Sequence, residues 1–130
     1  MLLKSERYVA AAVKAARAMA KVQRADGWLA GTYGERWVSG ARYCCLTGVA
    51  QMSLNWTRIA RETGTEELRD NARRALGFLK ARQRLGDPDL PLRGALAGSA
   101  PIWGRYSMFE FPNWAAKFLA DALMADLAHV

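Results

Sequence analysis

The chain is poor in the residues that make metal sites and staples. It holds one histidine, two cysteines and four prolines among 130 residues. The histidine, His129, stands next to the last residue, where side chains are ordinarily solvated. No metal site and no cofactor is therefore expected. Cys44 and Cys45 are neighbours, too poorly placed to bridge each other and too few for a disulfide framework. The longest stretch without charge, Tyr43 to Thr57, is short of the roughly 20 apolar residues a membrane span needs, and it contains Gln51 and Asn55. Lys4, Glu6, Arg7, Lys14 and Arg17 break up the N-terminal region, so no signal-peptide core forms there. These absences point to a soluble protein of a reducing, cytoplasmic compartment.

Acidic residues are also scarce in the first two-thirds. Residues 1–84 carry 16 Lys/Arg against 7 Asp/Glu, and residues 85–130 carry 3 against 5. What is abundant is apolar: 52% of residues are hydrophobic, enough for a core and too many for a disordered basic tail. The length fits one domain, residues 1–130.

Apolar residues recur at helical spacing in four segments. The first carries Val9, Ala12, Val13, Ala16, Met19, Ala20 and Gln23 on one face and Arg7, Lys14, Arg17, Lys21 and Arg24 on another; it ends before Asp26-Gly27. The second, from Ala41 to Glu62, has a Cys45/Val49/Met52/Trp56/Ile59 stripe and no charged face over several turns, the mark of a helix buried on more than one side. The third starts at Thr65, an N-cap residue followed by Glu66 and Glu67, with Leu68, Ala72, Ala75, Leu76 and Leu79 apolar and Arg69, Arg73, Lys80 and Arg84 basic. The fourth runs from Trp114 to Leu127 with Asn113 as its cap, and sets Lys117 and Asp121 at i, i+4. Between the third and fourth, Leu85 to Pro112 is rich in Gly, Pro and aromatics, too apolar for disorder and expected to be ordered.

An internal repeat organises these pieces. Gln23-Arg24 closes the first helix as Gln83-Arg84 closes the third. Gly27-Trp28-Leu29-Ala30-Gly31-Thr32 then matches Gly94-Ala95-Leu96-Ala97-Gly98-Ser99, after an insertion in the second copy that contains Asp87-Pro88-Asp89. The unit is a basic amphipathic helix, a G-x-L-A-G-[ST] loop and a more apolar helix, with repeat one over 5–62 and repeat two over 65–130. Alternating amphipathic and apolar helices suggest two layers, and a pair of units leaves apolar flanks that further units would cover.

On those residues, Gln23-Arg24-Ala25-Asp26-Gly27-Trp28 resembles the Q-x-x-D-G-x-W type repeat of squalene cyclases and protein prenyltransferases. Gly94 to Gly104, with Tyr106 and Pro112 to Phe118, is similar to the end of toroid proteins of bacterial polysaccharide pathways. The resemblance departs from the repeat in that Trp28 directly follows Gly27 and the second copy, at Gln83, has no Trp at that position. It implies an all-α fold of α/α-toroid type, here a partial toroid of two helical hairpins with four main helices, completed by a homo-oligomer or by the remainder of a larger toroid. It also implies a ligand cavity at one end, lined by the loops that lead into the inner helices.

Those loops, 26–42 and 93–114, concentrate aromatic and charged residues. Trp28, Tyr33, Arg36, Trp37, Arg42, Arg93, Trp103, Arg105, Tyr106, Asn113 and Lys117 are candidates for ligand binding, because aromatic faces stack on sugar rings and guanidinium groups pair with carboxylates. Asp26, Glu35 and Glu110 are the loop carboxylates near aromatics and the candidates for acid or base chemistry on a glycoside. The expected function is binding of an acidic sugar or polysaccharide, with catalysis left open. The alternatives are a non-enzymatic self-associating module and a fragment of a terpene-cyclase-like or prenyltransferase-like protein. Against the last, Asp87-Pro88-Asp89 lacks a further aspartate and no acidic cluster for Mg²⁺ is present. Nucleic acid is disfavoured as a partner, since the basic stripes come without a recognition motif. Cys44, off the second helix's stripe and near Arg42, is a minor candidate for a thiol of lowered pKa.

Overall fold

The computed structural model describes residues 6–128; His129 and the first five residues lie outside the described part. Four helices make up most of it: α1 Glu6–Val22, α2 Leu46–Thr63, α3 Glu66–Lys80 and α4 Asn113–Leu127. Two short strands, β1 Cys44–Cys45 and β2 Ser99–Ala100, pair antiparallel, with Cys44 opposite Ala100 and Cys45 opposite Ser99. The fold is all-α with four main helices, and no described helix is long and apolar enough to cross a membrane.

α2 is the centre. Leu46, Thr47, Val49, Ala50, Ser53, Leu54, Trp56, Thr57 and Ala60 are all buried, so it is covered on more than one side, as its lack of a charged face requires. It packs chiefly against α3 and α4 and more lightly against α1. Trp56, the largest fully buried side chain, satisfies its indole N–H on the Ala16 carbonyl of α1 at 2.9 Å. Ser53 Oγ donates to the Ala72 carbonyl of α3 at 3.0 Å. α2 ends at Gly64, whose left-handed conformation (φ 69°) lets its N–H reach the Ala60 carbonyl at 2.8 Å.

The helix starts differ from the sequence expectations. α2 begins at Leu46 rather than Ala41: the residues just before it are extended, because Tyr43's carbonyl accepts Gly31 N–H (2.7 Å) and Cys44–Cys45 pair with Ser99–Ala100. Tertiary pairing overrides a helical periodicity there. Cys45 is the N-cap, its Sγ accepting Gly48 N–H at 3.3 Å. Pro112, not Asn113, occupies the cap position of α4, and Thr65 caps α3 by position only, its hydroxyl paired with that of Thr63. In α1 the core face is narrower than the periodicity suggested: Ala16 and Ala20 are buried, while Val9 and Ala12 are exposed.

The repeat has one backbone geometry in both copies. Arg24 N–H bonds the Trp28 carbonyl at 3.1 Å and Arg84 N–H the Ala95 carbonyl at 3.1 Å. Gly27 N–H returns to the Arg24 carbonyl and Gly94 N–H to the Arg84 carbonyl, both at 2.9 Å. The glutamine before each turn donates to the carbonyl of its glycine: Gln23 to Gly27 (3.4 Å) and Gln83 to Gly94 (3.0 Å). Leu29 and Leu96 follow, both buried. Gly31 then bonds Tyr43 as Gly98 bonds Glu110, each ahead of its apolar helix. The second copy's insertion is tied down by Asp87. Its carboxylate accepts Asp89 N–H at 2.9 Å and pairs with Arg84, and these partners hold its pKa below the usual aspartate value.

Both turn glycines have positive φ, 91° at Gly27 and 85° at Gly94, which a side chain tolerates poorly. Their surroundings differ. A Cβ on Gly27 would overlap the Arg74 carbonyl and Phe78 Cβ, whereas one on Gly94 meets nothing within 4 Å. In urea unfolding, Gly94→Ala should therefore cost about 1–2 kcal/mol, the left-handed penalty alone. Gly27→Ala adds overlap with packed backbone and should cost about 3 kcal/mol or more.

Candidate functional site

The two loops that carry the candidate residues meet at their bases. β1 and β2 join them, and Gly104 packs so closely on Tyr43 and Ser99 that a Cβ there would collide with both. Beyond that seam the loops behave differently.

The first loop folds back on itself. Tyr33 bridges to Ser39, and Gly34 N–H bonds the Val38 carbonyl at 2.9 Å. At the tip Arg36 and Trp37 have left-handed backbones, φ 57° and 60°. Two successive non-glycine residues in that region cost of order 1–3 kcal/mol each, a strain that accumulates where side-chain placement matters. The tip is laid against α1. Together they line an open groove of about 780 Å³ whose walls are Lys14, Arg17, Lys21, Arg36, Trp37 and the small residues of α1 between them. Lys14, Arg17 and Lys21 sit on successive turns of one helix face. Among the described residues none of these four cations meets a carboxylate within ion-pair distance. Trp37 remains 41% exposed beside them, tilted against Tyr33 with ring centroids 6.3 Å apart.

Behind this groove lies a second cavity of about 220 Å³, lined by Met19, Leu29, Tyr33, Cys45, Val49 and Met52 among others. Its loop residues come from 29–33 alone, whereas the resemblance implied a chamber lined by both 26–42 and 93–114. The cavity is apolar and smaller than the roughly 300 Å³ at which ligand pockets begin. Tyr33 is the one ligand-binding candidate that reaches it. Its hydroxyl oxygen accepts Ala30 N–H at 2.8 Å, and burial raises its pKa.

The remaining candidates are spread between structural duties and open surface. Asp26 fixes the first turn: one carboxylate oxygen accepts Trp28 N–H at 3.1 Å and the other the Arg24 guanidinium at 3.3 Å, with Arg24 stacked over Trp28 at 5.3 Å. Arg93 donates to the Asp87 carbonyl at 3.0 Å. Tyr106 accepts the Trp114 indole N–H at 2.9 Å and its carbonyl accepts Ser99 Oγ at 2.6 Å. Lys117 pairs with Asp121 at 2.5 Å, at the i, i+4 spacing. Arg42, Trp103, Arg105, Asn113, Glu35 and Glu110 are exposed. Among the described residues no hydrogen bond or ion pair links Asp26, Glu35 and Glu110, and no group of three or more His, Cys, Asp or Glu is placed to hold a metal.

Of the sequence candidates, then, the first loop brings Arg36 and Trp37 into one groove, with Tyr33 supporting them from behind. Lys14, Arg17 and Lys21 complete it, although periodicity alone leaves them on the polar face of α1, opposite its apolar stripe. Their spacing on one face was legible; that a loop folds back over them was not. The thiol expectation is overturned. Cys44 is fully buried in the strand pair, away from any open cavity, and desolvation pushes its pKa up to about 12 rather than down.

Compared with protein-family profiles, with curated proteins and with solved structures, the chain finds no match.

With the thiol protonated when folded and ionising near its ordinary value of 9 when unfolded, Cys44 favours the fold below pH 9 and withdraws that support as the pH climbs toward 12. Alkylation with iodoacetamide at pH 8, read by mass spectrometry, should leave Cys44 unlabelled in the native protein and label it fully in urea.

Proposed function

We propose that the chain is a partial α/α-toroid module that binds an acidic sugar or polysaccharide, and that the groove between α1 and the Glu35–Trp37 tip is where it does so. The observation that carries this reading is the set of four cations that meet no carboxylate among the described residues, gathered around an apolar-floored groove with an exposed tryptophan at its edge. A solvated outer face needs positive charge, but it does not need a strained loop that adds a fourth cation and an indole to three already there.

The chemistry favours a uronate-type ligand. Lys14, Arg17 and Lys21 repeat with the helix pitch, about 5.4 Å per turn. That is close to the length of one sugar unit in an extended chain, so each turn offers a cation to a successive carboxylate. Arg36 can grip a carboxylate in two-pronged fashion, and Trp37 offers a face for a pyranose ring. The groove's small residues, Ala10, Val13 and Ala18, let a flat ring approach the helix closely. With Asp26, Glu35 and Glu110 not joined by a hydrogen bond or ion pair among the described residues, binding rather than glycoside cleavage is the activity the geometry favours. The second loop, with exposed Trp103 and Arg105, lies outside this groove and serves as the internal control.

Calorimetric titration with oligogalacturonate, and with neutral malto-oligosaccharide as the reference, tests this. Binding to the acidic oligomer should weaken steeply with salt. Arg36→Ala should weaken it about tenfold or more, as loss of a charge-assisted hydrogen bond implies. Trp37→Ala should weaken it by about three- to tenfold, while Trp103→Ala leaves it unchanged. Equal affinity for the neutral oligomer, or loss on Trp103→Ala alone, would sink the reading. Tighter binding of a single-stranded oligonucleotide would transfer the groove to nucleic acid.

A further inference from the structure

The two copies of the repeat pack against each other through a junction whose halves are also displayed, uncovered, at the two ends of the molecule. The loop and apolar helix recur at one constant spacing: Gly27 to Gly94, Gly31 to Gly98, Tyr43 to Glu110 and the first residue of α2, Leu46, to the first residue of α4, Asn113. At that spacing the α2 residues Thr47, Ala50, Ser53, Thr57 and Ala60 correspond to Trp114, Lys117, Ala120, Met124 and Leu127 of α4. Every one of the α2 residues is buried, on the helix that packs against α3 and α4; every one of the α4 residues is exposed. Among the described residues, no element takes the place relative to α4 that α3 takes relative to α2.

The other half is on α1. Spaced as Gln23 is from Gln83, Tyr8, Ala11, Ala12 and Ala15 correspond to Leu68, Asn71, Ala72 and Ala75 of α3. Those four α3 residues are buried, and Ala72 lends its carbonyl to Ser53 of α2. Their α1 counterparts are all exposed, Tyr8 by 70%. They form an i, i+3, i+4, i+7 stripe on a different side of α1 from Lys14, Arg17 and Lys21.

Size and charge both match. Inside the chain, α2 sets small residues in the stripe that packs on α3, where Ser53 meets the Ala72 carbonyl and where Leu68 is buried, while Asn71 turns to Gln23 and Ala20 of α1. At the ends the sizes reverse together: α4 presents Trp114, Lys117, Met124 and Leu127, and α1 presents three alanines that leave room for them. The part of the chain bearing α1 is strongly positive, and residues 85–130 are net negative. The Lys117–Asp121 pair lies within the α4 stripe, so it would be carried in as a neutralised unit.

We infer that this chain associates head to tail with a second copy of itself, α4 of one copy seated on the Tyr8/Ala11/Ala12/Ala15 stripe of the next, in the geometry that α2 and α3 already adopt within the chain. The interface is heterologous. Each copy keeps one free half, so association continues until a ring closes or a filament grows. It is independent of the acidic-sugar reading, because it uses the other side of α1 and leaves the groove open.

Light scattering coupled to size exclusion, from micromolar to submillimolar protein, reads the result. The wild type should reach a mass of at least two chains, where one chain is 14.4 kDa. Ala12→Glu and Met124→Glu, each at an exposed position, should each be a single chain with unchanged helical circular dichroism and a cooperative thermal transition that no longer depends on protein concentration. Mixed in equal amounts, they should form a species of two chains and no larger, because one sound α4 stripe remains on the first and one sound α1 stripe on the second. A wild type of one chain at every concentration would overturn the proposal, as would either variant assembling like the wild type. Two folded variants that stay apart when mixed would overturn the head-to-tail geometry.

Discussion

The structure turns on a glutamine that holds a glycine. After each outer helix, a glutamine amide donates to the carbonyl of a left-handed glycine, and the backbone on either side closes the same pair of hydrogen bonds. The turn aims the next leucine, Leu29 or Leu96, into the core, and that leucine sets where the loop departs. In the first copy the same glutamine does more. Gln23 exchanges hydrogen bonds with buried Asn71, accepting its side-chain amide at 2.7 Å and donating to its carbonyl at 3.1 Å. Asn71 also reaches the Ala20 carbonyl at 3.2 Å. A buried amide pair is costly when half satisfied and directive when fully satisfied, so this one fixes how the first outer helix lies on the second. The register of α1 on α3, and with it the placement of the groove, depends on it.

Around that joint, α2 has been made nearly featureless. It lies between α1, α3 and α4, and it uses Ala50, Ser53, Thr57 and Ala60 where a surface helix would carry charge. Small residues bring backbones close, and the hydroxyls of Ser53 and Thr57 are discharged onto the Ala72 and Ser53 carbonyls at 3.0 Å each. α4 has the same place in its own unit but keeps long side chains on the corresponding face. The difference between α2 and α4 is a difference of neighbours, written into side-chain size.

Much of this was legible beforehand because it is local. Four helices, the burial of Leu68, Ala72, Ala75, Leu76 and Leu79, the ordered Gly/Pro-rich segment and the repeated G-x-L-A-G-[ST] loop follow from periodicity and turn chemistry. What stayed hidden is non-local. Tyr43, Cys44 and Cys45 fit a helical pattern as well as any, and become extended only because Ser99 and Ala100, far along the chain, pair with them. Arg42 beside Cys44 admits a thiol of lowered pKa only as a minor reading, and burial in that pairing sets the environment instead. Val9 and Ala12 continue the apolar period of α1, yet periodicity names the face that wants a partner and is silent on whether one is there. The groove was missed for the same reason: Lys14, Arg17 and Lys21 acquire company only when a loop with two left-handed residues turns Arg36 and Trp37 back toward them.

That division bears on how α1 is used. A helix whose job were only to shield α2 would bury a broad stripe and solvate the rest. α1 buries a narrow one, Ala16 and Ala20, and spends its other sides on two different surfaces: small alanines on one, three cations with a loop-borne tryptophan on the other. The two surfaces ask for opposite partners. Alanines that leave room for long side chains suit a helix of matched shape, which contributes through excluded water and close packing. Cations without carboxylate partners suit a polyanion, whose hold is long in range and weakened by salt. Because the surfaces lie on different sides of one helix, filling one does not occupy the other. A head-to-tail array would carry the basic groove at every unit, so a polymeric acidic ligand could meet several grooves at once. Each further contact would then be intramolecular, and avidity would grow with array length even where a single groove binds weakly.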